Sequence, residues 1–172
     1  MRRSLEFLAL LLMTWLLWLT YSALNGPERL PARIPVHFDA AGNANGWGSP
    51  SVLLLLPAIA VGVYLLLTVI SLFPKSFHYS FPVTEGNRER LQGLTLGLLA
   101  WIKVDMLCLF GWLQKEMVQA AKAGQAHISP WLVPAFLAVV FGTVGWYLVL
   151  MVQASRKVTG TGGDSAPPPG IV

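Results

Sequence analysis

Charge is scarce in this chain: Asp, Glu, Lys and Arg make up only 12% of its 172 residues, about half the share of an ordinary soluble domain. That shortage excludes a conventional water-soluble globule. Cysteine is nearly absent, and Cys108 has no partner in the chain, so an intramolecular disulfide and a cysteine-based metal site are excluded. Catalytic signatures are missing too. There is no P-loop, dinucleotide fingerprint, Gly-x-Ser-x-Gly elbow or zinc-protease helix motif. The twelve Lys and Arg residues are too scattered to form a nucleic-acid patch. The expectation is a non-enzymatic protein with no cofactor, no metal and no nucleic-acid partner.

What the chain has instead is hydrocarbon. Hydrophobic residues reach 55% and the mean hydropathy is +0.60. Apolar windows near 5–24, 52–73, 94–113 and 131–152 each hold the roughly twenty residues that cross a 30 Å hydrocarbon core. Lipid offers the backbone no hydrogen bonds, so these windows predict helices rather than open strands. Barrel strands would be shorter and alternating. The basic start "MRRSLEF" resembles a secretory signal, but the apolar stretch is too long and Tyr21 sits badly before a cut at Ala23. The first window therefore reads as a retained helix.

Orientation follows from Lys and Arg. With the N-terminus inside, Arg2, Arg3, Lys75, Arg88, Arg90, Arg156 and Lys157 are cytoplasmic, against Arg29, Arg33, Lys115 and Lys122 outside. Seven against four favours this topology, with both termini cytoplasmic. The expected fold class is all-α: an integral membrane four-helix antiparallel bundle over residues 1–153, with an ordered extracytoplasmic loop at 25–50 and a cytoplasmic link at 74–92. Residues 154–172 end in Gly, Pro and small polar side chains without periodicity, which predicts a disordered cytoplasmic tail.

Local signals sharpen the plan. Ser49-Pro50 and Ser129-Pro130 read as helix starts, since proline's missing N–H costs nothing in a first turn. Pro57 reads as a mild kink two turns into the second helix. Asn87 reads as the cap of the third helix, with Glu89 in its first turn. Ala58 and Gly62, Gly93 and Gly97, and Ala138 and Gly142 are small residues four apart, a spacing that permits close helix approach.

Two groups of residues carry chemistry. Lys103 and Asp105 lie halfway along the third window, where an ionisable group costs roughly 2.5 to 3.5 kcal/mol and must pair, face the bundle or mark a pathway. Two apart on a helix, they point in different directions, which favours structural contacts over a shared relay. Glu6 reads as an interfacial residue beside Arg2 and Arg3. The second group is the loop "LPARIPVHFDAAGNANGWGSP". Pro31 and Pro35 stiffen its start, Asp39 to Gly42 suit a turn, and Asn45-Gly46 is a tight-turn signal. Phe38 and Trp47 suit a collapsed element at the headgroup belt. His37 and Asp39 alone fall short of the three or four ligands of a zinc site; His127, on the same side, would add a third, but nothing in the spacing fixes a geometry. The "DAAGNANG" run lacks both carboxylates of a calcium loop.

The loop resembles the signature of a bacterial membrane family, domain of unknown function 1648: leucine-proline, arginine-isoleucine-proline, His-aromatic, Asn or Asp, then Gly and a Gly-Trp pair. The likeness extends more weakly through "FHYSFPVTEGNRERLQGLTLGLLAWIKV". The family is related to larger SdpI-like immunity proteins, in which a second membrane part follows. The resemblance implies a multi-pass protein of the bacterial cytoplasmic (inner) membrane. It implies tolerance of a membrane-active peptide toxin, or signalling through a membrane protein partner, with the lipid bilayer as surroundings. On this reading His37, Phe38, Asp39, Gly42, Gly46 and Trp47 form the recognition loop. The alternative is a small transporter or accessory subunit using Asp105 and Lys103.

Overall fold

One buried stripe sets the first helix. Described over residues 2–159, the computed structural model has α1 at Arg2–Asn25, burying Leu5, Ala9, Met13, Leu16, Thr20 and Ala23. Steps of three and four residues put all six on one helix face. The opposite face exposes Phe7, Leu10, Leu11, Trp18 and Tyr21, side chains that suit lipid rather than water. Then come β1 (Ile34–Phe38), β2 (Ala44–Gly48), a 3-10 turn at Pro50–Leu54, α2 (Leu55–Ser71), α3 (Glu85–Ala123) and α4 (Leu132–Thr159). Among the described residues four helices are long and apolar enough to cross a membrane, so the chain is a multi-pass membrane protein. The all-α expectation needs one correction, because the loop contains a two-stranded antiparallel hairpin.

Helix α3 is the hub against which α1, α2 and α4 all pack. Glu6 meets Lys103 and Thr20 meets Gln114, an ascending order that runs α1 and α3 the same way. Leu53 meets Gln114 and Tyr64 meets Lys103, which runs α2 the opposite way. Tyr147 packs on Gly97 while Thr143 faces Asp105, so α4 also opposes α3.

The third helix is much longer than its apolar window. Its 39 residues extend about 58 Å at 1.5 Å per residue, nearly twice a hydrocarbon core of roughly 30 Å. Its start lies at Glu85 rather than Leu94, so residues 85–92 of the expected link are helical. Thr84, not Asn87, is the N-cap. Asn87 sits in the third position, where its Oδ1 accepts the Thr84 N–H at 2.8 Å; Glu85 is the first-turn acid. At the other end Met117, Val118 and Ala121 continue a buried stripe beyond the apolar window, packing with Ile34 and Leu53. Gly124 stops the helix in the left-handed region at φ 64°, and the Gln125 N–H donates to Ala120 O at 2.9 Å, a six-to-one closure.

Pro57 does not lie two turns into a helix. The Pro50–Leu54 turn precedes α2, so Pro57 is its third residue. Proline cannot donate to the carbonyl four residues back, which is that of Leu53. Gln114 of α3 fills the gap: its Nε2 donates to Leu53 O and to Thr20 Oγ1, both at 2.9 Å. One amide thus ties α1, α3 and the turn leading into α2 together.

The small-residue pairs are only partly used. Gly97 seats the Tyr147 ring, whereas a Cβ at Gly62, Gly93 or Gly142 would meet open space. A tight approach between α1 and α3 is made instead at Gly111, where a Cβ would strike the Trp15 ring. At the foot of the bundle Tyr79, Phe81 and Val83 pack on Leu91, Tyr147 and Met151, so the link is folded. Helix α4 runs through 154–159, six residues into the expected tail; the rest of that tail lies outside the described residues.

Candidate functional site

The hairpin closes where Asp39 organises the turn. Its Oδ1 accepts the Ala41 and Asn43 N–H groups, each at 2.9 Å, and its main chain exchanges hydrogen bonds with Asn43 and Gly42. These donors favour the charged carboxylate, with the Asn43 N–H contributing most, so the Asp39 pKa lies below its ordinary 3.8. Gly42 has φ 85°, and a Cβ there would strike the Ile128 carbonyl oxygen. Only glycine fits.

A depressed carboxylate pKa stabilises the turn above the ordinary range and stops doing so as pH falls through the folded value. The Ala41 and Asn43 amide proton resonances of the micelle-embedded protein are therefore expected to titrate with a midpoint below 3.8. They should be flat in Asp39→Ala. A midpoint at or above 3.8 would contradict the assignment.

Asn45-Gly46 is not a turn; it lies within β2. The tight turn is already supplied by Asp39 and Gly42, so Asn45 and Gly46 are free to pair across the strands. Asn45 Oδ1 meets His37 Nδ1, and Gly46 stands opposite His37 in the register. A Cβ at Gly46 would come within 2.8 Å of the His37 Cβ, so its smallness permits the pairing. Bulges on either side of His37 re-aim the side chains there, a common use of bulges.

The hairpin also recruits the α3–α4 connection. Asn43 bridges His127, the Ala44 N–H donates to Ala126 O at 2.7 Å, and the Ile128 N–H donates to Gly42 O at 2.8 Å. Lys122 pairs with Glu28 at 2.8 Å and holds the Glu28 pKa below its ordinary value. Both side chains are exposed, so this pair steers more than it stabilises.

Between the hairpin, the upper end of α3 and the start of α4 lies a cleft of about 440 Å³. Phe38, Leu113, Met117, Ile128, Leu132 and Val133 supply apolar walls, and His37, Asp39 and Ser129 a polar rim. Four of the six expected loop residues, His37, Phe38, Asp39 and Gly42, line it. Gly46 and Trp47 do not. Trp47 pairs with Pro35 in the register and remains 48% exposed. The α3 and α4 walls were missed by sequence reasoning; the only local signal was Met117 following Leu113 at helical spacing. No group of three metal-ligating side chains comes together among the described residues, so His37, Asp39 and His127 are not assembled into one.

Inside the bundle, Lys103 and Asp105 face different helices. The buried Lys103 Nζ pairs with Glu6 Oε1 at 2.8 Å and lies 4.9 Å from the centre of the Tyr64 ring. The Tyr64 hydroxyl donates to Glu6 Oε2 at 3.3 Å. Glu6 is thus part of an interhelical ion pair, which corrects the purely interfacial role expected for it. Asp105 is buried, faces Thr143 of α4 and leaves Oδ2 without a hydrogen-bond partner.

Residues 8–61 match the family model described as domain of unknown function (DUF1648). That span runs from α1 through the whole hairpin into α2. No curated protein and no solved structure matches the chain.

Proposed function

For this chain, which carries a domain of unknown function 1648 over residues 8–61, we propose a non-enzymatic role in tolerating membrane-active peptides. The hairpin cleft is the recognition site. The protein sits in a bacterial inner membrane as an antiparallel bundle, with both termini cytoplasmic and the hairpin outside, as the Lys and Arg distribution favours. The observation that carries the reading is the cleft of about 440 Å³, apolar inside and rimmed by His37, Asp39 and Ser129. Apolar pockets with a few oriented polar groups are the usual form of a binding site.

The occupant is an amphipathic cationic peptide. Its apolar side chain enters against Phe38 and Met117, and its charge lies near Asp39, whose carboxylate stays ionised. The SdpI-like version of this reading adds that capture outside the membrane protects the cell. A transport reading has less support, because Lys103 is engaged by Glu6 on one side while Asp105 faces Thr143 on the other. The test places one cysteine in the cleft, Ser129→Cys in a Cys108→Ser background. An amphipathic cationic peptide is expected to slow its modification by maleimide at least tenfold. It should also kill cells lacking the protein at lower doses. Equal modification rates, or unchanged killing, would sink the reading.

A further inference from the structure

At the end of the bundle opposite the hairpin, the α2–α3 link and the first turns of α3 line a second, open cavity of about 390 Å³. Its polar lining is Lys75, His78, Arg88 and Gln92, with Phe77 and Tyr79 among its aromatic neighbours. No Asp or Glu lines it. Among the described residues the acidic ion-pair partners are Glu6 and Glu28, taken by Lys103 and Lys122, so neither Lys75 nor Arg88 has a carboxylate.

Lys75 and Arg88, both exposed, give one pocket a net positive charge with no acid in its lining, which an anion entering it would offset. The fold goes some way to hold the two residues together. Gln92 Nε2 donates to Pro74 O at 3.1 Å, which pins the Lys75 turn to α3. The Tyr79 hydroxyl meets Thr95 Oγ1 at 3.0 Å. The Tyr79 and Phe81 rings pack 5.6 Å apart, fixing the intervening chain. Exposed Phe73, two residues before Lys75 in the chain, and half-buried Phe77 in the lining are the aromatics of a membrane–water boundary.

We propose that this cavity binds the phosphate headgroup of an anionic phospholipid. Arg88 supplies a planar donor fork suited to phosphate oxygens, and Lys75 a mobile point charge. His78 and the Gln92 amide supply further donors. The acyl chains descend along the exposed apolar surface of α2, where Leu65, Leu66, Val69 and Leu72 are bare. A lipid rather than a free phosphate fits this continuity of charged pocket and apolar face. Basic residues next to membrane helices are worth about fivefold each in attraction for anionic lipid. The site is separate from the hairpin cleft, and the lipid test leaves that reading untouched.

The test uses the full-length protein, delipidated in neutral detergent and mixed with phosphatidylglycerol or phosphatidylcholine, with bound lipid counted by native mass spectrometry. Wild type should retain phosphatidylglycerol at least tenfold more tightly than phosphatidylcholine. Lys75→Gln with Arg88→Gln should abolish the preference, whereas Lys115→Gln, at the other end of α3, should leave it intact. All three side chains lie on the surface or at its edge, and circular dichroism of each variant verifies the fold. Inorganic phosphate is the third arm. Failure of millimolar phosphate to displace the lipid supports the headgroup, and complete displacement overturns it in favour of free phosphate. Equal retention of the two lipids, or an undiminished preference in the double variant, would also overturn the proposal.

Discussion

Glu6→Leu is expected to destabilise the bundle by about 3 kcal/mol, the low end for removing one partner of a buried ion pair. The low end applies because the Glu6 side chain is 30% exposed while that of Lys103 is 1% exposed. The loss falls on the lysine. Its ammonium would keep only the Tyr64 ring, a cation–π contact worth about 2 kcal/mol when desolvated. Lys103→Met should cost less, since the remaining Glu6 lies close to the helix end that carries Arg2 and Arg3. Glu6→Leu with Lys103→Met removes both charges and should return most of the stability, as apolar replacement of a buried pair is often neutral. Reversible unfolding in mixed micelles measures all three. A double variant as unstable as Glu6→Leu would show that the pair is not what the charges do.

The second large effect is expected at Gln114. Gln114→Leu leaves the Leu53 carbonyl without a donor, because Pro57 has no N–H to offer. An unsatisfied buried carbonyl costs about 1 to 3 kcal/mol. Part of that is offset, since Gln114 Oε1 is itself unpartnered and leaves with the substitution. A net loss of about 2 kcal/mol is expected. Pro57→Ala restores an N–H four residues after Leu53 and should rescue Gln114→Leu while changing the parent little. The coupling between the two positions, read from a double-mutant cycle, should approach the whole loss. Additive effects would mean that Gln114 and Pro57 do not share the Leu53 carbonyl.

Gln114 also marks where the sequence becomes hard to read. The four spans were legible because each is a long apolar window, and lipid leaves helices as the only economical backbone there. Their ends were not. A hydropathy window detects hydrocarbon, so it stops α3 at Leu113 and misses the next ten residues, whose burial depends on the hairpin. The clue lay in a different signal, the stripe of Met117, Val118 and Ala121 ending at Gly124.

In the loop, Asp39 and Gly42 were read correctly as turn formers. Asn45-Gly46 was misread because two turn signals competed within eight residues. Asp39 won by accepting two backbone N–H groups. Glu6 was misread for another reason. Its proximity to Arg2 and Arg3 is visible along the chain, whereas its partner Lys103 is 97 residues away and becomes its neighbour only when α1 packs on α3. The divergence of Lys103 and Asp105, by contrast, follows from helix geometry alone and is what the structure has.

We propose that the hairpin and the upper end of α3 form one folded recognition unit outside the membrane. Its most direct test is the side from which Ser129→Cys, in the Cys108→Ser background, reacts with a membrane-impermeant maleimide. In intact spheroplasts the cysteine should be modified without permeabilisation, and an added amphipathic cationic peptide should protect it. Modification only after the membrane is opened would place the cleft on the wrong side and contradict the account.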